Sequence, residues 1–436
     1  MHWRSREVTY EELLTQVAEW EHRFPELGIG PGSVCAYTGD YWPAPVAFLL
    51  ALIRTGAIGV PFSLGAIRES ERLMDLAGAE VSLSFSPDGD WTIRHRVVSE
   101  PHPLVKTFRE QGHPGCIVFT SGSTGEPKGI LHDFERLLEK FERPRAAHRT
   151  LLFLLIDHLG GINTLLGVLS NGGVGVVAER RTVDDVCRVI EQARVELLPV
   201  TPAFLAMLTA SADLDRFDVS SVRTITYGTD SMPQQTLDAT ARRFPQARLQ
   251  QTYGLSEVGV LRSKSKDSGS LLVRVGGDGF ETKIVDGILW IRSRSAMVGY
   301  LNAPSPFDAE GWLNTGDLVE IQGEYLRILG RESDIINVGG QKVFPVEVES
   351  VVLQAPNVSD VTVYGEPHPL LGRIVAARVT THTPEDPNAL RARIREFCLE
   401  RLAPYKVPVR VLPASGAVHN DRFKRMRRPD APTEQS

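Results

Sequence analysis

The stretch that most constrains this chain is CIVFTSGSTGEPKG, residues 116 to 129. Cys116, Ile117, Val118 and Phe119 read as a short buried strand. The chain then breaks into a loop of Thr120, Ser121, Gly122, Ser123, Thr124, Gly125, Lys128 and Gly129. Glycines let backbone amides converge on an anion, hydroxyls add donors, and the lysine adds charge, so the loop suits a polyphosphate. It is not the usual nucleotide P-loop, because no Gly-Lys-Ser/Thr closes it and Pro127 precedes the lysine. A flexible Ser/Gly linker is the plain alternative for this composition. The apolar strand running straight into the loop, and the loop's positive charge, count against it.

The rest of the N-terminal two thirds repeats this rhythm. Thr9 and Glu12 form a capping box, with Leu13, Leu14, Val17 and Trp20 following at helical spacing. Residues 28 to 40 read as turn, strand and turn, 45 to 56 as a buried helix closing at Gly56, and 58 to 62 as a strand. Residues 151 to 156 predict a strand ending at Asp157 and His158, followed by a helix, a strand at 173 to 178 and another helix. Strands around 195 to 200, 222 to 227 and 248 to 252 continue the series. Such alternation predicts an α/β architecture with a largely parallel sheet. Ligands bind such sheets at the carboxyl ends of the strands, where the loop at 116 to 129 sits. After about residue 265 short Gly-punctuated strands suggest a small β-rich subdomain. From near 333 a third texture predicts a small α+β domain, with a helix opened by Pro345 and another from Asn388 onward.

Composition excludes more than it identifies. The 436 residues are 42% hydrophobic and 23% charged, with net charge −6. That gives no support for a nucleic-acid or anionic-membrane partner; the basic run at 422 to 428 is a local exception. Cys35, Cys116, Cys187 and Cys398 are widely spaced, with no CxxC pair, so a reduced cytoplasmic protein without structural zinc is expected. The N-terminus lacks the apolar core of a signal peptide. The longest apolar run, 45 to 53, stops at Arg54 and is too short to span a bilayer.

With these pieces in order, the sequence resembles the adenylate-forming (ANL) superfamily of acyl-CoA synthetases, nonribosomal peptide synthetase adenylation domains and beetle luciferase. The resemblance covers nearly the whole chain. TSGSTGEPKG is similar to the family's phosphate loop, YGTDSMP (227 to 233) to its adenine-side loop, and QTYGLSE (251 to 257) to its Tyr-Gly-x-Thr/Ser-Glu motif. NTGDL (314 to 318) resembles the ribose motif, and residues 330 to 349 the hinge and the start of a mobile C-terminal domain. The implied fold is a large N-terminal domain of two α/β sheets plus a small β subdomain (residues 1–331), with a small mobile α+β C-terminal domain (332–436).

The implied chemistry is attack of a carboxylate on the α-phosphorus of ATP, giving an acyl-adenylate and pyrophosphate, followed by acyl transfer to a thiol. Thr120, Ser121, Gly122, Ser123, Thr124, Gly125 and Lys128 would hold phosphates, and Glu257 would bind Mg²⁺. Asp317 would accept from both ribose hydroxyls, reinforced by Arg331. Tyr253 would stack on adenine, with Gly228, Thr229 and Asp230 lining its edge and Gly254 and Ser256 in the adjoining motif. A core role is the alternative for Tyr253. His158 would gate the acyl pocket, which Leu159 and Gly254 would line; an ordinary hydrogen-bonded histidine beside Asp157 is the alternative. Ser333 stands at the hinge, and Gly339 and Gly340 resemble the glycines of the thiol tunnel.

Departures from the family pattern matter most at the C-terminus. The family ends with a lysine that bridges the reacting carboxylate and the α-phosphate. In HNDRFKRMRR (419 to 428) strict spacing leaves Arg422 at that place, whereas a shift of two residues makes Lys424 the catalytic group. Lys424 is preferred, because a flexible ammonium fits a bridging role better than a planar guanidinium. The chain is also shorter than most acyl-CoA synthetases. Amino-acid-activating relatives carry an aspartate after the gate position; here Leu159 aligns there, and a buried ammonium without a carboxylate would be costly. A plain carboxylic acid, aryl or aliphatic, is therefore expected, with Asp157 as the residue that would rescue an amine. The acceptor would be coenzyme A or the phosphopantetheine of a carrier protein. Two other classes remain open: a nucleotide- or acyl-binding homologue without turnover, and an adenylate-forming amide ligase.

Overall fold

The computed structural model describes residues 1–98, 100–121 and 126–414, apart from the side chains of 66–69 and 121. Two seven-stranded sheets carry the N-terminal part. In the first, Arg248–Gln251, Thr224–Tyr227, Leu197–Val200, Arg149–Leu151, Val174–Val176 and His2–Trp3 run parallel, and Arg6–Glu7 closes the edge antiparallel. In the second, Gly115–Ser121, Ile58–Phe62, Val34–Thr38 and Val81–Phe85 form a parallel centre with antiparallel strands outside it. The parallel centre is apolar on both faces, since all five residues of Val34–Thr38 and of Ile58–Phe62 are buried.

Helices from both halves share one core. Tyr10–Arg23 begins at the Thr9 capping box: Thr9 Oγ1 accepts from the Glu12 amide at 3.1 Å, and the Glu12 carboxylate accepts from the Thr9 amide at 2.7 Å. Its Leu13, Val17 and Trp20 are buried, whereas Leu14 faces solvent. The helix Pro43–Thr55 packs on it, with the Trp20 and Phe48 rings meeting edge-on at 5.1 Å. Ile162 and Leu165, from the helix Leu159–Ser170 of the other half, belong to the same cluster.

The strand expected at 151 to 156 ends at Leu151. Beyond it, the carbonyls that a sheet neighbour would have used accept from side chains. Arg181 Nε donates to Phe153 O at 2.6 Å and Tyr41 Oη to Leu154 O at 2.6 Å. The segment 116 to 129 differs in the same informative way. Gly115–Ser121 turns back on Pro127–Asp133 as an antiparallel hairpin with Thr120 opposite Lys128. The lysine is therefore a strand residue, and its position is set by the sheet.

A six-stranded antiparallel sheet runs from Ser263–Ser265 to Tyr325–Arg331, and its core contains Val258, Leu289, Leu313 and Tyr253. Residues 336 to 411 build a separate core. There the helices Pro345–Val352 and Pro387–Leu399 place Val348, Val352, Leu390 and Ile394 against the long strands Val358–His368 and Gly372–Thr381. Asp386 caps the second helix, accepting from the amides of Asn388 and Ala389. Cys35, Cys116, Cys187 and Cys398 are buried free thiols, and burial pushes each above the ordinary thiol range. No helix among the described residues is long and apolar enough to cross a membrane.

Candidate active site

A cleft of about 890 Å³ opens where the strands of both α/β sheets end. Thr120 and Lys128 from the hairpin, His158 and Leu159 from the helix start, and Gly228 and Thr229 after Thr224–Tyr227 all line it. So do Tyr253, Gly254, Ser256 and Glu257, with Arg331 at the far side. Loops separated by more than 200 positions thus converge on one cavity.

The Gly228 loop explains its own composition. A Cβ on Gly228 would sit 2.4 Å from Thr252 Oγ1 and 2.8 Å from Thr252 O, so only glycine allows the two loops to touch. Thr229 follows at φ +71°, a left-handed conformation that costs a threonine about 1–3 kcal/mol. Gly254 is equally constrained, since its Cβ would lie 2.7 Å from Gly259 O. Asp230 is not in the cleft wall; its carboxylate accepts from the Ser231 amide at 2.8 Å.

Asp317 reaches the cleft through its partners. Its carboxylate accepts from the Tyr253 hydroxyl in a short hydrogen bond and from Arg331 Nε at 3.0 Å. The register of the hairpin Leu313–Gln322/Tyr325–Arg331 sets Asp317 directly opposite Arg331. Burial pushes the Asp317 carboxyl up, and Arg331 and Tyr253 pull it back only in part. Burial and the neighbouring carboxylate also hold the Tyr253 hydroxyl well above its ordinary value. Tyr253 belongs to the β core and lines the cleft as well.

At the phosphate end a triad emerges that the sequence did not reveal. Tyr300 Oη donates to Glu257 Oε1 at 2.6 Å, and Lys128 Nζ lies 4.9 Å from the centroid of the Tyr300 ring. Gly299–Tyr300 pairs with Pro127–Asp133 and so rides on the lysine's own hairpin. No group of three or more His, Cys, Asp or Glu side chains able to hold a metal exists among the described residues. A single carboxylate beside a lysine does fit Mg²⁺ arriving with phosphates, because that ion keeps waters and needs only one or two protein carboxylates.

His158 is the N-cap residue of Leu159–Ser170, half-buried in the cleft wall. Leu159 is buried and belongs to the shared core. Asp157 is absent from the cleft lining; its Oδ2 accepts from Ser63 Oγ at 2.7 Å and from the Ser63 amide at 3.2 Å, while its buried Oδ1 has no partner among the described residues. Through Oδ2 it fastens the two α/β halves together. Ser333 lies in the exposed turn Glu332–Asp334, and Gly339 and Gly340, with φ +56° and +86°, form the turn between Ile336–Val338 and Gln341–Val343. Gly122, Ser123, Thr124, Gly125, Arg422 and Lys424 lie outside the described residues.

The AMP-binding enzyme family matches residues 1–301, and the AMP-binding enzyme C-terminal domain matches residues 347–419. The chain belongs to the AMP-binding enzyme family. This family member is an adenylate-forming ligase of the acyl-CoA synthetase type, using ATP to activate a carboxylic acid and passing the acyl group to a thiol. Indoleacetate–CoA ligase of Aromatoleum aromaticum is 28% identical over 460 residues, covering 93% of this chain and 89% of that protein. 2-Succinylbenzoate–CoA ligase of Bacillus licheniformis is 30% identical over 317 residues, 67% of this chain and 64% of that protein, so the match spans less than two thirds of its length. The anthranilate CoA ligase AuaEII in complex with anthranoyl-AMP superposes with a TM-score of 0.82 at 21% identity, covering 97% of this chain and 91% of that one. At that identity the likeness establishes the fold.

Proposed function

We propose that the protein activates an aryl or aliphatic carboxylic acid lacking an α-amino group and transfers the acyl group to coenzyme A. The observation that carries this reading is the joining of the hairpin lysine, Glu257 and the Asp317–Arg331 pair around one cleft whose acyl side holds Leu159 where an ammonium would need a carboxylate. Asp157, bonded to Ser63 through Oδ2, is absent from the lining of the cleft.

In this reading residues 120 to 125 and Lys128 neutralise the β- and γ-phosphates. Asp317 accepts from the ribose hydroxyls while Arg331 and Tyr253 hold its carboxylate in place. The Gly228–Thr229 backbone and Tyr253 enclose adenine, and Glu257, oriented by Tyr300, holds the metal. Mg²⁺, when bound, offsets charge on the phosphates as pyrophosphate leaves. His158 stands at the mouth of the acyl pocket. Lys424, or Arg422 in its place, brings positive charge to the reacting carboxylate when the C-terminal domain, 332–436, turns about Ser333 over the larger domain, 1–331. Gly339 and Gly340 line the path of the thiol in the second step. A carrier-protein phosphopantetheine presents the same thiol and is the competing acceptor.

Carboxylate-dependent exchange of pyrophosphate into ATP, across a broad acid panel, tests the first step. Exchange with plain acids and none with α-amino acids is the expected result; no exchange with any acid overturns the reading. Lys424→Ala should abolish exchange, and if Arg422→Ala does so instead, the lysine assignment is wrong. Thioester formation with coenzyme A but not with a pantetheinylated carrier decides the acceptor, and transfer to an amine alone would mark an amide ligase.

A further inference from the structure

The cleft extends past His158 along the helix Leu159–Ser170, and its far end is not the apolar pocket expected for a simple acid. Lys140 lines it. Its ammonium donates to Val260 O at 3.1 Å and lies 5.1 Å from the Phe141 ring. No carboxylate forms an ion pair with Lys140 among the described residues. The surrounding charges are of its own sign: Arg145 and Arg262 both act on it, and both line the same cavity. Arg262 Nε is buried without a hydrogen-bond partner among the described residues. The acids nearby are committed to the outer face, Asp278 to Arg262 and Arg143, and Glu139 to Arg294. The helix along this pocket carries no charged side chain, and its Asn163 presents a buried Oδ1 that lacks a partner among the described residues.

Lys140 is also far from the reacting end. A Cβ on Gly167 would lie 3.4 Å from the Phe141 ring, which sets Phe141 at the level of Gly167. Gly167 is nine residues beyond His158, about 13 Å at 1.5 Å per residue. A half-buried ammonium with guanidinium groups near it is disfavoured until an anion reaches it. Burial first, then Arg145 and Arg262, lower the Lys140 pKa to about 7.

We infer that the substrate is an acid bearing a second carboxylate at its remote end, bound by Lys140 with Arg262 beside it. This rests on the acid-activating reading above and names the substrate class. The first carboxylate stays at the His158 end to react, and the second is a recognition group, which leaves the chemistry of adenylation unchanged.

Pyrophosphate exchange with matched acids tests it on the full-length protein: octanoate against octanedioate, and 3-phenylpropanoate against its para-carboxy analogue. The wild type should favour each diacid by about 10- to 100-fold in kcat/KM, the value of one charge-assisted hydrogen bond in a desolvated site. Lys140→Gln keeps a donor for Val260 O and removes the charge, and should bring the diacid-to-monoacid ratio towards one. Lys140→Arg should retain most of the ratio. Monoacids turning over as well as diacids in the wild type, or Lys140→Gln lowering both classes equally, would show that Lys140 is a structural tie and overturn the inference alone. Absence of exchange with every acid would overturn the acid-activating reading as well.

Discussion

The two ends of the cleft are built from opposite materials. At the end proposed for the nucleotide, several side chains already have partners: Asp317 holds Tyr253 and Arg331, and Glu257 is bonded by Tyr300, whose ring faces Lys128. At the end proposed for the acyl group, an uncharged helix lines the cleft with a half-buried lysine that has no carboxylate partner among the described residues. A preorganised network suits a ligand that never changes, because its groups need no reorganisation when the nucleotide arrives. An unmatched charge suits selection, because it penalises every acid that fails to answer it.

The largest expected effect breaks the nucleotide end. Asp317→Asn should lower kcat/KM for ATP by about 10²- to 10³-fold, as two charged hydrogen bonds to ribose weaken, measured by pyrophosphate exchange. Its stability should move the other way. Because the folded-state pKa of Asp317 is raised, its carboxyl favours the fold at acid pH. That contribution is lost as pH rises from the ordinary aspartate value through the folded one. The Tm of Asp317→Asn at pH 7 should therefore match or exceed the wild type, and a clear fall would mean the network holds the fold more than the nucleotide.

Next in size is Tyr300→Phe, which leaves Glu257 without its orienting donor. The magnesium concentration for half-maximal exchange should rise about 10-fold, with the KM for the acid little changed. An unchanged magnesium titration would remove Tyr300 from the site.

The acyl end is sharpened by pH. Lys140 in the free enzyme is protonated below about 7 and neutral above it. The charged groups that act on it are Arg145 and Arg262. The diacid-to-monoacid preference should thus be full near pH 6 and fall severalfold by pH 8.5, read from kcat/KM. A flat profile would contradict the lysine's part in selection.

The smallest effect lies outside both ends. The Asp133 carboxylate pairs with His113 Nδ1 at 2.9 Å and raises the histidine's pKa. That stabilisation is present below the unfolded value of ~6.5 and is lost as pH rises through the folded one. His113→Ala should lower Tm by about 1–2 °C near pH 5.5 and by nothing measurable at pH 8.5, with exchange activity unaffected.

Local chemistry explains what was legible. A strand entering TSGSTG, a Thr9–Glu12 box and a proline opening a helix at Pro345 each state their structure within a few residues. The proposed nucleotide residues could be named because each sits in a short stretch with its own pattern. Tyr300 was not, because its partner Glu257 lies 43 positions away and Gly-Tyr-Leu-Asn has no distinctive chemistry. Asp157, a candidate for an amine, proved to be held by Ser63 from the other sheet, 94 positions earlier.

Lys140 marks the division most sharply. In FERLLEKFER, residues 134 to 143, it reads as one charge among many on an ordinary exposed helix. Sequence alone determined the layered fold through its periodicity, and the adenylate-forming chemistry through motifs, contiguous in the chain, that resemble a known family. Tertiary structure decided which charges are stripped of water and which face one another. Desolvation and Coulomb interaction depend on distance through space, and neither can be read from distance along the chain.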